Sequence, residues 1–281
     1  MTSPRFPSRY ARKRFGQNFL EPAWVTKVVN AIAPKADETF IEIGPGRGAL
    51  TRPLASRSKA VLAFEIDRDL AGELEASASA NLSVIQGDFI ESTDAHHALV
   101  ALGRTTPVRV AGNLPYNVAT PILFKLAGLY RAGCPLLDAT VMLQREVGDR
   151  LIAAPGGREY GVLSVLLQHT ALVQRLLSLP PGAFRPRPTV HSVLVRLTFR
   201  APSPPVVDYP TFTALVRAVF TRRRKTLANA LLAFEPTSTG RRILSPADVL
   251  GRSGLDGTRR PETVSVAEFA RLSDIYASIS N

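Results

Sequence analysis

Asn113-Leu114-Pro115-Tyr116 is a run of residue types that can do chemistry together. The amine on a purine ring is a poor nucleophile, because its lone pair is delocalised into the ring. A side-chain amide oxygen from Asn113 and a main-chain carbonyl from Leu114 or Pro115 can accept the two N–H bonds of such an amine. That draws the nitrogen toward tetrahedral geometry and aims its lone pair at an electrophilic methyl. Pro115 has no N–H to offer and stiffens the turn. Tyr116 offers a ring face on which an extruded base can stack, a contact worth about 1–3 kcal/mol. With a sulfonium leaving group no charged base is needed, since solvent can remove the proton. In isolation, an Asn-x-Pro-Tyr run reads as a capped strand-to-helix turn with its tyrosine in the core. Its meaning depends on what surrounds it.

A second constellation lies upstream. Glu42-Ile43-Gly44-Pro45-Gly46-Arg47-Gly48 follows a short apolar run and precedes an amphipathic one. Gly44 and Gly46 allow a tight turn that brings backbone against a ligand at a helix N-terminus. Two spaced acids sharpen the pattern. Glu65, followed by Ile66, ends the next apolar run, where a carboxylate can accept from ribose hydroxyls. Asp88 ends the one after, where it can accept from an adenine amine with Phe89 beside the ring. Singly, either acid is as compatible with a helix cap or a loop. As a set they describe a nucleoside site. Pro45 inside the loop, and Ala49 where a G-x-G-x-x-G pattern needs glycine, argue against a nicotinamide dinucleotide.

The elements that must carry these groups are legible as short β-branched runs bounded by Gly, Pro or Asp. Strands are expected at Thr39–Ile43, Ala60–Phe64, Leu82–Gln86, Val108–Ala111 and Ala139–Leu143. Helices are expected at Ala49–Ser58, Arg68–Ala78 and Ala119–Tyr130. This rhythm means βαβ units and a parallel sheet with helices on both faces. Ala171–Leu179 and Val190–Phe199 can extend it in antiparallel fashion. Every site group then falls at a strand carboxyl end, along the crevice where open α/β sheets bind ligands. The proline-rich stretch 201–210 reads as a linker, which divides the chain into residues 1–204 and a small helical domain at 205–281. Thr211–Phe234 and Ala267–Ile279 are helical in pattern.

Composition narrows the partner. The chain has 281 residues and a formal charge of +12, from 35 Lys plus Arg against 23 Asp plus Glu. Such a surplus favours a polyanion. Arg9–Arg14, Arg222–Lys225, Arg241–Arg242 and Arg259–Arg260 concentrate it outside the cofactor strands, where phosphates of a folded RNA could be gripped. A single cysteine, Cys134, excludes an internal disulfide framework and fits a reducing compartment. No apolar run is long enough to span a bilayer. The basic N-terminus lacks the apolar core of a secretory signal, so a cytoplasmic location is expected. The four histidines sit in no metal-ligand spacing, and no metal is expected.

The motifs, in order, resemble the ribosomal RNA adenine dimethyltransferase family, and within it the bacterial small-subunit enzymes. The resemblance begins at Arg12-Lys13-Arg14-Phe15-Gly16-Gln17-Asn18-Phe19-Leu20. It continues through Glu42–Gly48, Phe64-Glu65-Ile66-Asp67, Gly87-Asp88, Asn113–Tyr116, Leu143–Val147, Tyr160–Ser164 and Phe184–Val190, ending at Phe220–Leu227. It implies an α/β fold, a Rossmann-like class I methyltransferase sheet followed by a small α-helical domain. It implies S-adenosylmethionine as cofactor, with Asn18 and Leu20 joining Gly44, Glu65, Asp88 and Asn113 around it. Phe184 is expected to face Tyr116 and sandwich the target adenine. The implied reaction places two methyl groups on each of two adjacent adenosines near the 3′ end of small-subunit (16S) RNA, so the pocket must also accept a monomethylated amine. Arg12, Lys13, Arg14, Arg222, Arg223, Arg224 and Lys225 are the expected RNA contacts, the small ribosomal subunit or its precursor is the expected partner, and a monomer is the expected form. Large-subunit (23S) resistance methyltransferases and a non-catalytic RNA-binding assembly factor on the same fold are the alternatives. Leu114, where the large-subunit enzymes usually carry Ile, and the Arg222–Leu227 run favour the small subunit.

Overall fold

The computed structural model describes residues 18–92, 97, 100, 101, 107–235 and 244–278. The chain divides into two compact units, Met1–Gly148 with Val173–Phe199, and Asp149–Leu172 with Arg200–Asn281. The larger part of the second unit thus starts at Arg200, beside the proline-rich stretch, and is joined by the earlier segment Asp149–Leu172.

The first unit is built on a sheet of seven strands. In chain order these are β2 (Thr39–Ile43), β3 (Ala60–Glu65), β4 (Leu82–Gln86), β5 (Val108–Asn113), β6 (Leu136–Gln144), β7 (Ala171–Leu179) and β9 (Ser192–Phe199). A separate two-stranded ribbon pairs β1 (Phe19–Leu20) with β8 (Phe184–Arg185). The sheet order is β4-β3-β2-β5-β6-β9-β7. Neighbours from β4 to β6 run parallel, and β9 is antiparallel to β6. The helices of this region are α1 (Pro22–Ile32), α2 (Thr51–Ala55), α3 (Arg68–Ala76), α4 (Ala119–Arg131) and α5 (Arg145–Ile152).

The chain moves outward from β2 to β4 and then returns to the other side of β2 to form β5. Right-handed crossovers on the two sides place helices on opposite faces. They also leave a topological switch point between the carboxyl ends of β2 and β5. There Ile43 lies opposite Gly112. A Cβ at residue 112 would stand 2.6 Å from the Ile43 carbonyl oxygen, so only glycine lets the two strands close at this point. β5 runs two residues further than its apolar pattern indicated, which makes Asn113 the last residue of the strand.

α1 begins with Pro22, whose missing N–H costs nothing in a first turn. Its carboxyl end is held by two arginines from the sheet. Arg109 donates from Nη2 to the Ile32 carbonyl at 2.9 Å and from Nη1 to the Ala33 carbonyl at 3.2 Å. Arg196 Nη2 donates to the carbonyls of Ala31 and Ile32. These orphan carbonyls carry the negative end of the helix dipole, and guanidinium satisfies both needs. Arg109 is almost fully buried and is neutralised by Asp138, 2.9 Å from Nη2, and Glu38, 2.7 Å from Nη1.

The second unit contains α6 (Val162–Gln168), α7 (Tyr209–Thr221), α8 (Leu227–Leu231), α9 (Pro246–Ser253) and α10 (Val266–Ala277). Phe220 packs between Tyr160 and Phe269 in its core. The single helix expected over Thr211–Phe234 is interrupted. Thr226 takes an extended backbone and its hydroxyl accepts from the Asn229 N–H, capping a new helix. The basic run 222–225 is therefore the turn between α7 and α8. Among the described helices none is long and apolar enough to cross a membrane.

Removing the guanidinium that joins α1 to the sheet leaves Asp138 and Glu38 short of their main cation and the helix carbonyls short of donors. Arg109→Ala is expected to lower unfolding free energy by about 3–5 kcal/mol, read as a fall in the denaturant midpoint at unchanged slope.

Candidate active site

A cavity of about 320 Å³ opens at the switch point. Its lining includes Asn18, Leu20, Gly44, Gly46, Glu65, Ile66, Asp88, Phe89, Asn113, Leu114, Pro115 and Tyr116. The expected cofactor and catalytic residues, on five separate segments, thus meet in one space, with Phe184 the exception. Phe184 pairs with Leu20 across the β1–β8 ribbon and lies fully buried in a core shared with Met142 and Leu194. It does not line the cavity, because the ribbon turns its ring inward.

Gly44 and Gly46 have φ of +69° and +58°, a backbone that other residues adopt only under strain. The curl they form sends the Gly46 N–H to Glu65 Oε2 at 2.9 Å. Glu65 Oε1 accepts from the Asp67 N–H, also at 2.9 Å. Both carboxylate oxygens are thus pinned, and a carboxylate's four lone-pair sites leave room for a ribose hydroxyl. Burial raises the Glu65 carboxyl above its ordinary value, and the backbone N–H groups of Asp67, Gly46 and Ile66 oppose that rise.

Asp88 Oδ1 accepts from the Ile90 N–H at 2.8 Å, which fixes the turn after β4. Lys125 on α4 holds the same turn from outside, donating from Nζ to the carbonyls of Ile90 and Ser92. Burial lowers its pKa, with the Asp88 charge opposing. Phe89 is buried edge-on against Phe64 at 5.3 Å between centroids. Ile66 remains 44% exposed at the cavity wall, an apolar face suited to cover a purine ring.

The Asn113–Tyr116 turn is oriented by the N-terminal segment. Asn113 Nδ2 donates to the Asn18 carbonyl at 2.6 Å. Its Nδ2 end is thus committed, and Oδ1 is the end left to accept from a substrate. The Pro115 carbonyl already accepts from the Val118 N–H at 3.1 Å. The Leu114 carbonyl has no hydrogen bond among the described residues, so of the two carbonyls it is the better placed to accept an amine N–H. Tyr116 is half-buried, and its hydroxyl lies 2.7 Å from Ser192 Oγ. Burial pushes the phenol up, with the Ser192 bond opposing.

Two lining residues carry more than their sequence signals indicated. Phe19 lies against the glycine curl: a Cβ at residue 46 would come within 3.2 Å of its ring. The Arg47 guanidinium sits 4.5 Å from the centre of that ring. Glu42 lines the cavity and is buried, yet its Oε2 has no hydrogen-bond partner among the described residues. Burial pushes its carboxyl up to about 8, and the Glu65 charge adds to the rise. The Thr51 side chain opposes the rise by more than the Glu65 charge adds to it. The signal was present as an acid inside the apolar run TFIEI, where only a functional or paired carboxyl belongs.

This arrangement fits S-adenosylmethionine. Glu65 offers acceptors for a ribose, and Asp88, Ile66 and Phe89 form a polar edge and apolar walls for an adenine. The Glu42 carboxyl, pushed up to about 8, supplies a counter-charge to a cationic ligand only once it is deprotonated. Arg12, Lys13 and Arg14 fall outside the described residues, as do Arg241 and Arg242. In the second unit Arg222 is exposed and donates to the Asn229 carbonyl, while Arg223 is tied to Glu262 and to the carbonyls of Gly157 and Arg158. Arg224 and Lys225 are exposed.

Residues 9–272 match the family described as ribosomal RNA adenine dimethylase. A Burkholderia sp protein named ribosomal RNA small subunit methyltransferase A is 40% identical over 277 residues, covering 97% of this chain and 94% of its own. A Proteus mirabilis protein of the same name is 39% identical over 273 residues, with 96% and 94% covered. Among solved structures, a dimethyladenosine transferase from Plasmodium falciparum aligns with a TM-score of 0.73 at 25% identity, covering 90% of this chain and 95% of its own. The 23S rRNA methyltransferase ErmE aligns at 0.66 and 23% identity over 94% and 100%, a likeness of fold alone.

Glu42 generates a pH test. Its folded-state pKa lies above the ordinary 4.5, so its contribution to stability is complete at low pH and is lost as pH rises through about 8. Wild-type protein is expected to melt at progressively lower temperature across that window, whereas Glu42→Gln is expected to show a flatter profile. In the same window the affinity for a cationic cofactor should rise relative to that of the variant, measured by titration calorimetry.

Proposed function

This chain belongs to the ribosomal RNA adenine dimethylase family, and we propose that it transfers methyl groups from S-adenosylmethionine to the exocyclic amines of two adjacent adenosines near the 3′ end of 16S RNA. The observation that carries the reading is the Asn113 amide, held by Asn18 so that Oδ1 and the Leu114 carbonyl are both left as acceptors beside the cofactor cavity. Full-length relatives named for the small subunit support the choice of RNA over a large-subunit target.

Bound S-adenosylmethionine supplies an electrophilic methyl on a positively charged sulfur. The chain's own work is orientation. Asn113 Oδ1 and the Leu114 carbonyl accept the two amine N–H bonds, and the nitrogen lone pair is turned out of conjugation toward the methyl. The Tyr116 ring supplies a stacking face that keeps the extruded base in plane. Both acceptors are neutral, so the proton released on methyl transfer passes to solvent. After the first transfer one N–H remains, and one acceptor is sufficient to orient the amine for the second.

For the RNA, Arg222, Arg224 and Lys225 are the better candidates for phosphate contacts, and Arg223 serves the fold of its own unit first. Arg12, Lys13 and Arg14 remain candidates on charge alone. The proposed setting is the cytoplasm, with a monomer acting on the small subunit or its precursor.

The direct test incubates the protein with labelled S-adenosylmethionine and unmethylated small and large subunits, separates them, and digests the RNA to nucleosides. Label in dimethyladenosine from the small subunit is the expected result. Label confined to the large subunit would transfer the reading to 23S RNA, and no label in either would end it. Asn113→Ala should cut transfer about 10²–10³-fold or more, by analogy with the loss of one transition-state hydrogen-bonding group elsewhere, with only a modest loss of cofactor affinity.

A further inference from the structure

We infer that Ser192 is a positioning residue for methyl transfer: it tethers the tip of the Tyr116 ring and so fixes the plane on which the target base stacks. The inference rests on the proposed role of Tyr116 as the stacking face.

Tyr116 sits on the turn after β5, a segment held to the sheet through its Leu114 N–H, which donates to the Met142 carbonyl at 3.3 Å. Its ring is half-buried and lines the cavity. A tyrosine on such a turn has two rotatable side-chain bonds, and packing along one side does not fix the far end of the ring. The far end is instead bonded to Ser192 Oγ at 2.7 Å, the short distance of a well-formed O–H···O bond.

Ser192 is a rigid anchor. It is 1% exposed and is the first residue of β9. Its Cα lies opposite Gln144 of β6, and the His191 carbonyl before it accepts from the Arg145 N–H at 2.9 Å. The bond therefore spans from the turn of one strand to the frame of another, with β6 between them in the sheet. Phe184, the aromatic residue expected to face Tyr116 across the base, is buried elsewhere. With that ring out of the cavity, the plane of the base depends on the Tyr116 side chain, and the Ser192 bond is the contact that restrains its tip.

The chemistry makes this restraint matter. Methyl transfer requires the amine nitrogen in line with the methyl, and small misplacements of reacting atoms are costly. A tether sets orientation and leaves the grip on RNA to other surfaces. Its loss should therefore lower kcat and spare KM for the ribosomal subunit.

The test is a double-mutant cycle on unmethylated small subunits, using Ser192→Ala, Tyr116→Phe and the pair together. Each single variant is expected to lower kcat about tenfold, with KM for the subunit and the S-adenosylmethionine dissociation constant within about twofold of wild type. The pair should be no worse than either single, because both remove the same bond. Thermal melting of Ser192→Ala near the wild-type temperature shows that β9 is intact, and Ser192→Thr, which restores a hydroxyl, should recover part of the rate. Full kcat in Ser192→Ala, or effects that multiply in the pair, would overturn the inference. Tyr116→Ala separates the two levels. If it retains the wild-type rate, the stacking role itself fails; if it is crippled while Ser192→Ala is not, only the tether fails.

Discussion

The bond from Asn113 Nδ2 to the Asn18 carbonyl is the contact on which the proposed chemistry turns. A carboxamide presents a donor at one end and an acceptor at the other, and the two ends have nearly the same shape. Left to rotate, Asn113 would offer its NH2 to a substrate amine as readily as its oxygen, and two donors would face each other. The N-terminal segment removes that ambiguity by supplying an acceptor on one side only. It can do so because β1 is pinned to β8, with Leu20 opposite Phe184 and the Glu21 N–H donating to the Ala183 carbonyl at 2.8 Å. The buried Phe184 ring thus holds the strand that holds the carbonyl that orients the amide.

Charge is handled in opposite ways at the two ends of the sheet. At the amino ends of β5 and β6, Arg109 and Asp138 are buried and fully matched, with Glu38, Arg196 and the α1 carbonyls completing the set. Such a cluster offers nothing to a ligand and serves to fix α1. At the carboxyl ends the acids are Glu42 and Glu65, with no basic side chain bonded to either among the described residues. Glu65 is held by backbone N–H groups, and Glu42 keeps an orphaned oxygen. Burial without a basic partner holds the Glu42 carboxyl up at about 8, and a bound cation favours its ionised form, which matches the charge of the cofactor the site fits.

In the basic run 222–225 similar residues divide between internal bonding and exposure. Arg223 is drawn back to Glu262 and two carbonyls of its own unit, and Arg260 Nη1 donates to the Arg224 carbonyl. The backbone of the turn is thereby fixed while the side chains of Arg224 and Lys225 stay exposed.

By itself the sequence determined the strand-and-helix rhythm of the first unit, and with it the meeting of the glycine loop, Glu65, Asp88 and Asn113. That much follows from period and punctuation: short β-branched runs between glycines, prolines and acids form parallel strands, and parallel strands bring their carboxyl ends to one edge. Only the tertiary structure decided which way the Asn113 amide faces, that Leu114 and not Pro115 keeps the freer carbonyl, and that Phe184 belongs to the core. Each of these depends on a partner distant in sequence or on a turn hydrogen bond, and neither leaves a trace in local pattern. Glu42 stands between the two cases. Its type was visible inside an apolar strand, but the meaning of a buried acid depends on whether a partner reaches it, and that is settled by packing.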